Sequence, residues 1–246
     1  MTNDKNMKVL VIGAHPSDPF PANAGTVINH VNRGDEVILM TLTYGEEVHT
    51  EHYLGKSRDE LRKILRENSE KAAAVLGVND YRFLDFGDTP LIATRENMLE
   101  LGESIQDIRP DIIICSHYPF RETHYGHDHG EAARMLERVP SHRVHSGKEG
   151  HRPKAIWFSA NEQSMNHPIY RSPDTYVDIS DVIDQKIEAC LHTWNPWACS
   201  SEKLKEIGPP LLRAVGMEQG RVVGVEYAES YESPWLKNNI VTHLGT

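Results

Sequence analysis

Three short runs decide what this chain can fold into. Lys8 to Gly13 (KVLVIG), Glu36 to Thr43 (EVILMTLT) and Asp111 to Ser116 (DIIICS) are nearly continuous in apolar, β-branched residues. A strand of that kind has no polar face to give to water, so it belongs inside a sheet covered on both sides, as parallel sheets are. Parallel neighbours need long crossovers, and the segments between the runs have helical character. Ala22 to Arg33 stops at Gly34, Ser57 to Leu76 is rich in Leu, Ala, Glu, Lys and Arg and stops at Gly77, and Arg95 to Ile108 ends before Arg109-Pro110. Tyr81 to Phe86, Lys154 to Ser159 and Thr175 to Ile179 are expected as further strands. Gly130 to Arg138, Asp181 to His192 and Glu202 to Met217 are expected as helices, the last interrupted by Pro209-Pro210. The expectation is a Rossmann-like α/β fold built on a doubly wound, mostly parallel sheet. No repeat, low-complexity stretch or linker divides residues 1–246, so one domain is expected.

Such a sheet binds ligands beyond the carboxyl ends of its strands. Two segments that leave apolar runs are rich in metal-ligating side chains. After the first run comes AHPSDPF, which holds His15 and Asp18 in a proline-bracketed turn. An imidazole and a carboxylate three residues apart can converge on one cation, and both suit Zn²⁺. After the run ending at Ser116 comes SHYPFRETHYGHDHGEAARM. His117, His124, His127, His129, His142, His145 and His151 make up half of the chain's 14 histidines, too many in one stretch for chance scatter. His142, His145 and His151 stand among Arg143, Lys148 and Arg152 and read as a solvated loop. His117 reads equally well as a satisfied histidine beneath the site and as a partner of a ligand. His129 is the best ligand candidate of the group, because it opens a helix whose Ala132 and Ala133 would pack on the sheet. Two loops leaving strand ends can meet over one sheet edge and leave a coordination position open, as hydrolysis requires.

Glu46, in LTYGEEV after the second run, occupies a position like that of His15 and could handle a proton. His167, in SANEQSMNHPIYRSPD, and Arg66, on the long helix, could contact a substrate, although an arginine on a helix is more often simply solvated.

Charge narrows the partners. The chain carries 36 acidic and 26 basic side chains, a formal net charge of −10, with no Lys/Arg run. Attraction to nucleic acid or to anionic lipid is therefore not expected, and a small-molecule substrate is. Cys115, Cys190 and Cys199 form no C-x-x-C pair, and no segment approaches the roughly 18 apolar residues of a membrane span, so a cytoplasmic protein is expected. Self-association into a homo-oligomer stays open. No G-x-G-x-x-G follows the first run, which ranks a dinucleotide-binding protein last.

Beyond AHPSD, several segments fall in an order that resembles the LmbE/PIG-L family of zinc-dependent de-N-acetylases. They are LTYGEE, Arg66 through AAAVLG, FLDFGDTPL around Asp88, IRPDIIICSHYP, the pair Asp128-His129, DISDVIDQK near Lys186 and VEYAESY near Tyr227. The resemblance implies Zn²⁺ held by His15, Asp18 and His129, and water attacking an amide carbonyl, usually of an N-acetyl group. Two motifs depart from the family's pattern. Where the family usually reads A-H-P-D-D-E, with a carboxylate base before the metal-binding aspartate, this chain has Ser17, and Pro19 follows Asp18. Where it reads H-P-D-H, this chain has Gly126 in place of the first histidine. Glu46 is then the expected base and His127 or His124 the expected acid. The chain also resembles the 4-oxalomesaconate hydratases in its Y-G-E segment and in lacking the usual base. These residues imply a metal-dependent amide hydrolase first, a hydratase or C–C hydrolase of a dicarboxylic intermediate second, and a non-catalytic metal-binding remnant third.

Overall fold

The computed structural model describes residues 6–47, 55–117, 127–139, 150–160, 173–193 and 201–232. Its strands are β1 (Lys8–Gly13), β2 (Glu36–Thr41), β3 (Asp80–Phe83), β4 (Ile112–Cys115), β5 (Ala155–Ser159), β6 (Thr175–Asp178) and β7 (Ala228–Glu232). They form one sheet ordered β3-β2-β1-β4-β5-β7-β6. The pairs from β3 through β5 are parallel, and β7 runs antiparallel to both β5 and β6. The mostly parallel, doubly wound sheet expected from the sequence is the one observed. The helices are α1 (Pro19–Arg33), α2 (Arg58–Val75), α3 (Arg95–Ile108), α4 (His127–Arg138), α5 (Ile183–Thr193) and α6 (Ser201–Val223).

Both faces of the central strands are covered, which is why their sequences are apolar without alternation. Val9 and Val11 of β1, with Ile112 and Ile114 of β4, pack against Phe20, Ala24 and Val27 of α1 and Ile183 and Ile187 of α5. Their neighbours Leu10, Ile12, Ile113 and Cys115 face the other way, onto Leu101 and Ile105 of α3 and Ala132, Met135 and Leu136 of α4. Local signals set the helix ends. Ser57 and Glu60 form a reciprocal capping box at the start of α2, and Gly34 closes α1 with φ 91°.

Two features differ from the expectation. Helix α6 runs unbroken from Ser201 to Val223 with Pro209 and Pro210 inside it. The carbonyls those prolines cannot bond, four residues back, belong to Lys205 and Glu206, both exposed residues, where solvent access relieves the loss of the N–H partner. Strand β7 was not expected, because AESYE carries two glutamates and a serine, yet all five of its residues are buried. Among the described residues no helix is long and apolar enough to cross a membrane.

β1 lies between β2 and β4, so the crossovers leaving the sheet diverge at the carboxyl ends of β1 and β4. That divergence opens the crevice in which α/β sheets place their sites.

Candidate metal centre

The chain leaving β1 folds back at once. The Asp18 amide donates to the His15 carbonyl at 3.2 Å, and the His15 amide donates to Asp18 Oδ2 at 2.6 Å. This reversal needs Gly13, since a Cβ there would stand 2.8 Å from the Cβ of Asp18. Asp18 is also the residue from which α1 starts. The Tyr81 hydroxyl, reaching over from β3, donates to the Pro16 carbonyl at 2.6 Å and fixes the outside of the turn.

From the other side of the crevice, the first turn of α4 brings in His129. His15 Nδ1 lies 3.1 Å from His129 Nε2 and 3.5 Å from Asp18 Oδ2, and His129 Nε2 lies 3.6 Å from Asp18 Oδ1. A tetrahedral cation with ligand bonds of about 2.0–2.1 Å holds its ligand atoms about 3.3–3.4 Å apart. The two ring nitrogens are spaced near that value, each ring approaches one of the two Asp18 oxygens at a similar distance, and two imidazoles with one carboxylate make a zinc-type donor set that leaves a fourth position free. The residues present therefore fit a single divalent cation.

Each of the three is held from behind. His117, immediately after β4, places Nε2 2.8 Å from Asp18 Oδ2, and its ring stacks on that of His129 with centroids 3.9 Å apart. On the far side of the His15 ring, Nε2 lies 3.1 Å from Asp88 Oδ1 and 3.4 Å from Asp128 Oδ2. Carboxylates behind a metal-binding imidazole orient it and raise its basicity. The two carboxylates also tie loops to the site. Asp88 Oδ2 accepts from the amide of Glu47 at 2.6 Å, and Asp128 accepts from the amides of Thr89 and Leu91 at 3.0 and 2.8 Å.

The electrostatics follow from this crowding. Burial pushes the Asp18 carboxyl up, but the imidazoles of His117, His129 and His15 outweigh it and hold Asp18 well below the usual carboxylate range. Burial pulls His15 down, but the Asp18 charge and the contacts with Asp128 and Asp88 raise it well above an ordinary histidine. Asp128 is lowered to about 2, because His15 and the Leu91 and Thr89 amides overcome the cost of burial.

Glu46 sits beside this cluster. A Cβ on the preceding Gly45 would lie 3.0 Å from Pro16 Cδ and 3.6 Å from His15 Cβ, so the loop after β2 rests on the His15-Pro16 turn. The Glu46 carboxylate is 2% exposed; Oε1 accepts from Arg62 Nε at 2.8 Å, while the buried Oε2 has no hydrogen-bond partner. Arg62 is held in turn by Asp85 at 2.9 Å and lies over the Tyr44 ring.

Of the sequence candidates, His15, Asp18 and His129 come together, and Glu46 lies in the adjoining loop. Arg66 is half-exposed on α2, donates to Glu70 at 2.8 Å and lies over the Phe83 ring. His127 is the first residue of α4, but its side chain, like all of His124 and His167, lies outside the described residues. Sequence reasoning assigned no role to Asp88, Asp128 or Arg62. Asp88 and Asp128 were visible only as pieces of family motifs, and Arg62 carries no signal that sets it apart from the other arginines of α2. His151, read as a loop residue, packs with Nε2 2.6 Å from the Pro110 carbonyl.

Residues 10–138 match the family model described as GlcNAc-PI de-N-acetylase, PIG-L. The diacetylchitobiose deacetylase of Thermococcus kodakarensis is 30% identical over 228 residues, covering 90% of this chain and 81% of the relative. The 4-oxalmesaconate hydratase of Pseudomonas putida is 25% identical over 245 residues, covering 94% and 90%. In fold, the crystal structure of the 4-carboxy-2-hydroxymuconate hydratase GalB from that species superposes with a TM-score of 0.78 at 22% identity, covering 96% of this chain and 100% of that one.

Proposed function

The chain belongs to the GlcNAc-PI de-N-acetylase (PIG-L) family, and from that premise we propose that it is a zinc-dependent hydrolase of an N-acyl amide, typically an N-acetyl group, on a small polar metabolite. The observation that carries the proposal is that His15, Asp18 and His129 each offer a donor atom, all within 4.8 Å of one another, and that each side chain is braced from behind. A divalent cation bound there polarises a carbonyl oxygen and lowers the pKa of water towards neutrality.

The chain's own residues supply the rest. His15, Asp18 and His129 hold the cation. His117 fixes the Asp18 carboxylate, and Asp88 and Asp128 fix the His15 ring. Glu46 takes the proton from attacking water at Oε2, while Arg62 holds Oε1 and keeps the side chain from turning away. Ser17 cannot take that role, since a hydroxyl does not collect a proton near neutral pH. His127 or His124 returns a proton to the departing amine, and Arg66 and His167 contact the substrate's polar groups. The net charge of −10 accords with a small-molecule substrate, not with nucleic acid or an anionic membrane surface.

A specific observation favours a second reading. Gly126 stands where the family usually has an oxyanion-side histidine, a loss that falls on the tetrahedral oxyanion of amide hydrolysis. Adding water across the C=C bond of an unsaturated dicarboxylate has no leaving group and forms no tetrahedral oxyanion, so Glu46 takes the water proton as oxygen bonds to one carbon and returns a proton to the other. One assay separates the two. Zinc-loaded protein is offered a panel of N-acetylated amino sugars and a panel of unsaturated dicarboxylates. Amine and acetate release is expected from the first panel. Loss of enoic absorbance without amine release would replace hydrolysis by hydration, and no turnover of either panel would leave a non-catalytic metal-binding protein.

A further inference from the structure

A buried ion pair from two other elements is set against the backbone of helix α1, which starts from Asp18. Glu229 of β7 is 1% exposed, and its two oxygens accept from the backbone amides of Gly25 and Thr26, well inside α1, at 2.9 and 2.8 Å. Lys186 of α5, 4% exposed, donates from Nζ to Glu229 Oε1 at 2.6 Å and to the Pro21 carbonyl at 2.8 Å. In an uninterrupted helix the Gly25 amide bonds to that same Pro21 carbonyl. Carboxylate and ammonium thus occupy both ends of one rung of the helical ladder, an arrangement that fixes the direction of the helix on either side of it. The Tyr231 hydroxyl completes the cluster, 3.1 Å from Glu229 Oε2 and 2.7 Å from Thr26 Oγ1. Glycine at residue 25 also lets Ile179 pack against the helix there, since a Cβ would stand 2.5 Å from Ile179 Cγ2.

The turn held this way carries a metal-site residue. Pro21 is three residues from Asp18, within the first turn of α1. Lys186 and Glu229 lie far along the chain from Asp18, outside the span 10–138 that the family model covers. We propose that Lys186 and Glu229 are a positioning pair: by clamping the Pro21 carbonyl and the Gly25 and Thr26 amides they set the first turn of α1, and through it aim the Asp18 carboxylate at His15 and His129. The proposal rests on the reading of those three residues as a metal site.

The test measures Zn²⁺ affinity of the metal-free protein by chelator competition, beside its thermal midpoint. In the double variant K186M/E229L the charges leave together, so no buried ion is stranded, and the helix amides can return to their own carbonyls. The control is I108A, a core truncation at the amino end of the sheet, away from the site. The double variant is expected to bind Zn²⁺ at least about tenfold more weakly while melting no lower than I108A, whose affinity stays at the wild-type level. Wild-type affinity in K186M/E229L would overturn the proposal, as would an affinity loss in I108A equal to that of the double variant. Should K186M/E229L fail to fold, E229Q, which keeps the side chain's shape, is compared with I108A in the same way. Failure of the metal-site reading looks different: D18A would bind Zn²⁺ as tightly as the wild type.

Discussion

Two clusters of buried polar side chains bear on α1, and they are satisfied in opposite ways. Around Glu229, the donors and acceptors close on one another: two backbone amides, an ammonium and a phenol meet one carboxylate, and the ammonium takes a carbonyl as well. Around His15 the groups are crowded and left open. Two imidazole nitrogens face each other at 3.1 Å, His15 Nε2 has no aligned hydrogen-bond partner despite two carboxylates in reach, and Glu46 Oε2 has none either. Buried polar groups are costly when unpaired, so a closed cluster is self-sufficient as structure, whereas an open one calls for something further. In this fold the open cluster lies at the carboxyl ends of β1 and β4, where α/β sheets bind ligands.

The strongest way to break this contrast is to remove one donor of the open cluster. Asp18→Ala is expected to abolish zinc retention, read by metal analysis after gel filtration, and to bring turnover to background with it. Turnover by a metal-free Asp18→Ala protein would show that the crowding around His15 serves no cation.

The next largest effect separates holding the cation from using it. Glu46→Gln keeps an acceptor for Arg62 but cannot collect a proton. It is expected to retain zinc at wild-type stoichiometry and to lose about 10²- to 10⁴-fold in kcat, the usual worth of general-base assistance. Unchanged kcat would move the base elsewhere in the crevice.

How much of this the sequence disclosed differs between the clusters for a physical reason. The central strands were legible because burial on both faces leaves a one-dimensional mark, an unbroken apolar run, and His15 and Asp18 were legible because they sit together in the turn that follows. Strand β7 was not. Its two glutamates and serine leave no such apolar run, and Glu229 is buried where Lys186 and the amides of α1, from distant parts of the chain, meet it. The same limit hid Asp88 and Asp128 behind His15. Arg66 and Arg62 illustrate it within one helix: four residues apart on neighbouring turns, they are indistinguishable in the sequence, yet Arg62 meets Glu46 and Arg66 meets Glu70. The continuity of α6 through Pro209-Pro210 turned on which carbonyls faced water, again a property of the packed molecule.

The smallest expected effect is one of pH, and it sharpens the contrast without a substitution. In the metal-free protein His15 is raised well above its ordinary value, so it adds stability below about pH 6.5, and that contribution fades as pH rises through the higher folded value. Asp18 is held low, and Asp128 at about 2; their contributions are present above about pH 4 and fade only in acid. The metal-free protein should therefore melt highest between about pH 4 and 6.5 and lower towards pH 8, as far as this site is concerned. Zinc needs His15 neutral, so binding expels its proton, and apparent affinity should climb by up to about tenfold per pH unit while His15 is protonated. The gap in thermal midpoint between zinc-loaded and metal-free protein, followed from about pH 5 to 8, should widen steadily. A gap that stays constant would mean that His15 gives up no proton to the cation, and the open cluster would then be another closed one.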